Sequence, residues 1–112
     1  MLANFHTHTT FSDGKNTPEE IILYAIEKGF SVIGFSDHGF TPYDECYCMK
    51  DLTGYVKEIN KLKKKYKNKI QVYIGVEEDI VAFNFYIFTT TVQIGYYISK
   101  SSGQKFIHFV FR

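Results

Sequence analysis

Three short apolar runs, Met1–Phe5, Phe30–Phe35 and Ile70–Val76, set the frame of this chain. Each is too short for a helix, and each is separated from the next by enough residues to hold one. The β-branched and aromatic content of the second and third is that of buried strands. Thr17-Pro18-Glu19-Glu20 marks a helix start between the first two: Thr17 can cap, Pro18 fits the first helical position, and Glu20 completes a capping box. Ile21, Ile22, Ala25 and Ile26 supply an apolar stripe and Gly29 a stop, which predicts a helix over 18–28. A second helix is expected from Thr53 to about Lys67, with Val56, Ile59, Leu62 and Tyr66 inward and lysines outward.

Strand, helix and strand in this order make a βαβ unit with parallel strands and a right-handed crossover. Functional side chains in such sheets collect where the strands end, at the carboxyl edge. The three runs end in His6-Thr7-His8-Thr9-Thr10-Phe11-Ser12-Asp13-Gly14, in Ser36-Asp37-His38-Gly39 and in Glu77-Glu78-Asp79. Alternation along a strand puts His6 and His8 on one face, and paired imidazoles suit a first-row divalent metal. Asp13, followed by a glycine that permits a sharp turn, can return a carboxylate over the same strand end. A His-x-His pair by itself is more simply explained as two surface histidines. Three histidines with two or more carboxylates at successive strand ends argue for a metal site that gathers His6, His8, Asp13 and His38 with the acids Glu77, Glu78 and Asp79. A carboxylate there is suited to bridge two ions. Asp37 alternates away from His38 and is read as orienting its neighbours.

The remaining features narrow the function. A chain of 112 residues is one domain at most, and 45% hydrophobic residues exclude a disordered composition. A net charge of +1 argues against nucleic acid or an acidic membrane as a partner chosen by overall field. The cluster Lys61, Lys63, Lys64, Lys65, Lys67 and Lys69 reads as a solvated helix face. Cys46 and Cys48 stand too close in sequence for an unstrained disulfide and are not counted as ligands. With no signal peptide ahead of the first strand, the expected setting is a reducing cytoplasm. Residues 40–52 read as an irregular loop over the carboxyl edge, where substrate contacts usually lie.

The motifs His6-Thr7-His8-Thr9 with Ser12-Asp13-Gly14, Gly34-Phe35-Ser36-Asp37-His38-Gly39 and Gly75-Val76-Glu77-Glu78-Asp79 resemble, in order and spacing, those of the polymerase-and-histidinol-phosphatase (PHP) superfamily. The resemblance covers about residues 1–80 and is nearest to the monofunctional histidinol-phosphatases. It implies an α/β fold, the N-terminal β-α-β-α-β part of a distorted (β/α)7 TIM-like barrel. It also implies up to three divalent ions, zinc, iron or manganese. Carried over position by position, His6 and His8 would hold one ion, Glu77 would bridge to a second, and Asp13 with His38 would serve a third. The implied reaction is hydrolysis of L-histidinol phosphate to L-histidinol and phosphate, in histidine biosynthesis, by attack of a metal-activated water.

The chain departs from that pattern beyond Asp79. All 12 acidic residues lie at or before it, and beyond it only Lys100, Lys105 and Arg112 carry formal charge. The histidines and aspartate expected on later strands have no counterpart except His108, and a full barrel takes about 200 residues or more. The expected division is a partial PHP domain over 1–80 and an atypical, β-prone apolar tail over 81–112, with a reading-frame shift or truncation as its origin. The tail reads as two strands around a Ser-Ser-Gly turn. The uncharged run Val81–Ile98 contains Asn84, three threonines, Gln93 and Gly95, which makes it a poor membrane segment. As a free-standing chain it is expected to be weakly active or inactive unless self-association or a complementing chain supplies the missing strands. The competing expectation is a non-catalytic metal-binding or interaction module.

Overall fold

The computed structural model describes residues 1–40, 47–79, 94–101 and 104–111. The elements run β1 (Leu2–Asn4), α1 (Pro18–Glu27), β2 (Phe30–His38), α2 (Leu52–Lys65), β3 (Gln71–Asp79), β4 (Ile94–Ser101) and β5 (Gln104–Phe111). They form one sheet in the order β1-β2-β3-β5-β4. β1, β2 and β3 are parallel, joined by α1 and α2 as the βαβ reading requires, whereas β5 runs antiparallel to both β3 and β4.

The local signals act as the sequence implies. Thr17 accepts the Glu20 backbone N–H while the Glu20 side chain accepts that of Thr17, so the capping box closes in both directions. Gly29 leaves α1 with φ at 81°, a left-handed conformation that other residues adopt only with strain. α2 starts one residue earlier than expected, because Asp51 caps it by accepting the Gly54 N–H. β2 and β3 run three residues further than their apolar cores imply, carrying Asp37, His38 and Glu77 within the strands.

Parallel register explains which face holds what. Ile33, Phe35 and Asp37 pair with Val72, Ile74 and Val76, while Ser36 and His38 pair with Gly75 and Glu77. By alternation the first set shares one face and the second the other. The first face meets the helices: Ile33, Phe35, Val72, Ile74 and Val76 form a single cluster with Ile22 and Ala25 of α1 and Tyr55, Ile59 and Leu62 of α2. Ile59 and Leu62 are fully buried, and each such side chain contributes about 1.5–3 kcal/mol by leaving water. Tyr55, which the stripe read from sequence left out, is also fully buried and donates its hydroxyl hydrogen to Gly75 O at 2.7 Å. The second face therefore presents His38 and Glu77 away from the helices.

The tail contributes the antiparallel pair β4 and β5, in line with the two strands expected there. The composition change near residue 80 and most of the uncharged run from Val81 fall on residues 80–93, outside the described residues. Among the described residues, no helix is long and apolar enough to cross a membrane.

Candidate metal centre

β1 ends at Asn4, so His6 and His8 do not lie on the strand that the sequence implied. They nevertheless share a face, because the chain stays extended beside β2. Ser36 N–H donates to Thr7 O at 2.8 Å and Thr7 N–H to Ser36 Oγ at 3.2 Å, which continues the alternation without formal pairing.

The chain then folds back on itself. Ser12 and Gly14 both donate their N–H groups to Thr9 O, at 3.1 and 2.8 Å, and Thr10 N–H donates to Asn16 O at 3.0 Å. Gly14 is required here by close approach, since a Cβ at this position would stand 2.3 Å from His8 O and 2.6 Å from Thr9 N. The sharp turn expected of it is thus made by contact with the His8 backbone, and it is this that returns Asp13 over the histidines.

Asp37 locks the turn to β2. Fully buried, it accepts the Thr9 N–H at 2.6 Å, the Thr9 hydroxyl at 3.0 Å to each carboxylate oxygen, and the Ser12 hydroxyl at 2.6 Å. Ser12 Oγ in turn accepts the His38 N–H at 3.3 Å. A buried carboxylate is tolerable only with such a set of donors, and this one spends them on the backbone that carries His8 and Asp13.

Five side chains converge above this base. His8 lies between two carboxylates, with Nδ1 at 2.7 Å from Asp13 Oδ1 and Nε2 at 3.2 Å from Glu77 Oε2. His6 Nε2 is also 3.2 Å from Glu77 Oε2, and the rings of His6 and His8 stack with centroids 4.9 Å apart. His38 places Nε2 at 3.1 Å from Asp13 Oδ2 and Nδ1 at 3.6 Å from Glu77 Oε1. Two groups result, His6-His8-Glu77 and His8-Asp13-His38, in each of which the donor atoms lie within 4.8 Å of one another. Imidazole nitrogens and carboxylate oxygens at this spacing could hold a divalent metal ion. Glu77 is 6% exposed, whereas His6 is open to solvent at 54%, so the centre is anchored at the sheet and accessible from one side.

The electrostatics follow from this packing. Burial alone would lower the His8 pKa, but hydrogen bonds and charge from Glu77 and Asp13 outweigh it and raise the imidazole above its usual range. For Asp13 partial burial pushes upward, and the hydrogen bond from His8 with the charges of His38 and His8 brings the carboxyl below its usual range.

All five expected ligands, His6, His8, Asp13, His38 and Glu77, are brought together, and Asp37 stands apart from them on the opposite face. Thr9, Ser12 and Tyr47 were not singled out from the sequence. The Tyr47 ring meets His38 edge-on at 4.7 Å, a contact that no local spacing foretells. Residues 41–46 of the 40–52 loop, Cys46 among them, lie outside the described residues; Cys48 is a buried free thiol. The antiparallel register sets His108 directly across from Glu77 in the neighbouring strand, a placement that the sequence left without support.

Comparison with known proteins gives the family. The PHP domain family matches residues 4–109. A histidinol-phosphatase of Lactococcus lactis is 32% identical over 78 residues, covering 69% of this chain and 29% of that protein. A histidinol-phosphatase of Bacillus subtilis is 32% identical over 88 residues, covering 69% of this chain and 33% of that protein. An uncharacterized protein of Methanocaldococcus jannaschii is 38% identical over 78 residues, again with 69% and 33% coverage. The chain therefore spans about a third of the length of the curated relatives it matches. No solved structure matches it.

Proposed function

This chain belongs to the PHP domain family, and from that premise we propose that it carries the metal-binding part of a phosphomonoester hydrolase of the histidinol-phosphatase type, with L-histidinol phosphate as substrate. The observation that carries the reading is the Glu77 carboxylate. Its Oε2 meets His6 and His8 at 3.2 Å while its Oε1 faces His38 at 3.6 Å, so one carboxylate addresses two donor groups. The two relatives named histidinol-phosphatase suggest the substrate class.

Divalent ions bound here would activate water and neutralise charge on the phosphoryl oxygens. The roles of the side chains follow from their contacts. A neutral imidazole ligates through one nitrogen and donates through the other. His8 turns Nε2 toward His6 and Glu77 and Nδ1 toward Asp13, so its ring is fixed between the two donor groups. Asp13 keeps Oδ2 toward His38, so it couples the two groups. Asp37 reaches no substrate; it orients the backbone of Thr9 and Ser12. The opening on the His6 side is where a small phosphorylated metabolite enters.

In the same reading β1, β2 and β3 are the first three steps of a (β/α)7 barrel, with residues 1–80 as the partial PHP unit. The test is metal content of the purified chain together with phosphate release from L-histidinol phosphate, for the wild type and His8→Ala. Bound metal and chelator-sensitive turnover, both lost in His8→Ala, are expected. Metal without turnover would make the chain a non-catalytic metal-binding module, and absence of metal would reject the ligand assignment.

A further inference from the structure

We propose that Tyr47 is a positioning residue for His38, holding its ring for the ion of the His8-Asp13-His38 group; this rests on the metal-centre reading above. The His38 ring has a partner at every edge. Asp13 and Glu77 face its two nitrogens, the His8 ring lies at 4.4 Å and 74°, and the Tyr47 ring lies opposite in kind, edge-on at 4.7 Å and 71°. The two carboxylates can select a tautomer, but they do not stop the ring from rocking out of their plane. Ring contacts on the carbon atoms do that, and edge-to-face aromatic pairs have a preferred geometry.

Tyr47 is itself held. Met49 N–H donates to His38 O at 2.9 Å, clipping residues 47–49 to the end of β2. Cys48 and Met49 are 5% and 2% exposed, so the next two side chains anchor the segment in the protein interior. The backbone bond and the ring contact both end on His38. Tyr47 is half-buried, and its ring walls the His38 side of the centre.

The test uses the full chain, stripped with chelator and titrated with Co2+, followed by calorimetry and by the visible absorption of the bound ion. His6→Ala and His38→Ala assign the binding events to the two groups. Tyr47→Leu fills a similar space without an aromatic edge and is expected to weaken the His38-dependent event about 10-fold and alter its absorption. It should leave the His6-dependent event within about 2-fold, and Tyr47→Phe should bind as the wild type does. An unchanged His38-dependent event in Tyr47→Leu overturns the proposal and leaves the metal centre standing. Equal weakening of both events, or a defect in Tyr47→Phe as large as in Tyr47→Leu, also overturns it. Failure of the wild type to bind Co2+ rejects the metal centre and this role together.

Discussion

Asp37 and Thr9 are joined twice, by the Thr9 amide, which donates at 2.6 Å, and by its hydroxyl, whose single hydrogen is shared between the two carboxylate oxygens at 3.0 Å from each. Removing the carboxylate leaves the amide of a fully buried residue without an acceptor. Asp37→Ala is expected to destabilise the fold by about 3 kcal/mol, and Asp37→Asn by about 1 kcal/mol, because the amide oxygen keeps one acceptor. Urea unfolding measures both. In Asp37→Asn, metal affinity should fall about 10- to 100-fold without loss of a ligand, and unaltered affinity would contradict the orienting role.

His8 belongs to both donor groups, whereas His6 belongs to one and His38 to the other. His6→Ala and His38→Ala should therefore each lose one class of bound ion, and His8→Ala should lose both. Elemental analysis after dialysis decides the matter: a His8→Ala protein that retains as much metal as either of the other two would show that the groups are independent.

Two glycines should respond differently to alanine. Gly29 has open space around its missing Cβ, so Gly29→Ala meets only the strain of its positive φ and should cost about 1–2 kcal/mol. Gly14→Ala forces a Cβ into the His8 carbonyl, which is backbone and cannot swing aside. It should displace Asp13 and abolish binding at the His8-Asp13-His38 group while leaving α1 and α2 folded. Metal titration with circular dichroism on both variants separates the two effects.

The His8–Asp13 pair gives the chelated protein a pH signature. The folded state binds the His8 proton more tightly than the unfolded chain, so this contribution is complete below pH 6.5 and is lost as pH rises through the raised pKa. Asp13 is depressed, so its contribution is present above 3.8 and is lost as pH falls through its folded value. Both act together between about pH 4 and 6.5. The urea midpoint should be higher at pH 5.5 than at pH 8, and Asp13→Asn should flatten that difference. Metal displaces the His8 proton, so loading at a fixed metal concentration should fall on acidification, with a midpoint that moves to lower pH as metal is added. Loading that does not respond to pH would contradict His8 as a ligand.

Much of this was legible in sequence because it depends on local periodicity. The capping box of α1, the stripes of both helices and the alternation that separates Asp37 from His38 need only neighbouring residues. The reasons behind some of these expectations changed. His6 and His8 share a face through backbone bonds to Ser36 after β1 has ended, and Gly14 is required by crowding. What stayed hidden joins distant segments. Thr9 and Ser12 look like ordinary loop residues until β2 brings Asp37 beneath them, and Tyr47 gains a role only when Met49 is clipped to His38. Tyr55 was legible and missed: it stands four residues before Ile59 and seven before Leu62, on the buried face, whereas Val56, expected inward, is only partly buried.

His8 meets Asp13 across 5 positions of chain and Glu77 across 69. The first contact closes as soon as the loop between β1 and α1 forms; the second waits until β3 has docked on β2, at a larger loop-closure entropy. We expect that junction to be completed after the rate-limiting step, so that an ion gripping Glu77 and His8 together slows unfolding and leaves the rate of folding nearly constant. Faster folding with the ion present would place the junction within the transition state. The centre is in this sense a latch closed on a finished sheet.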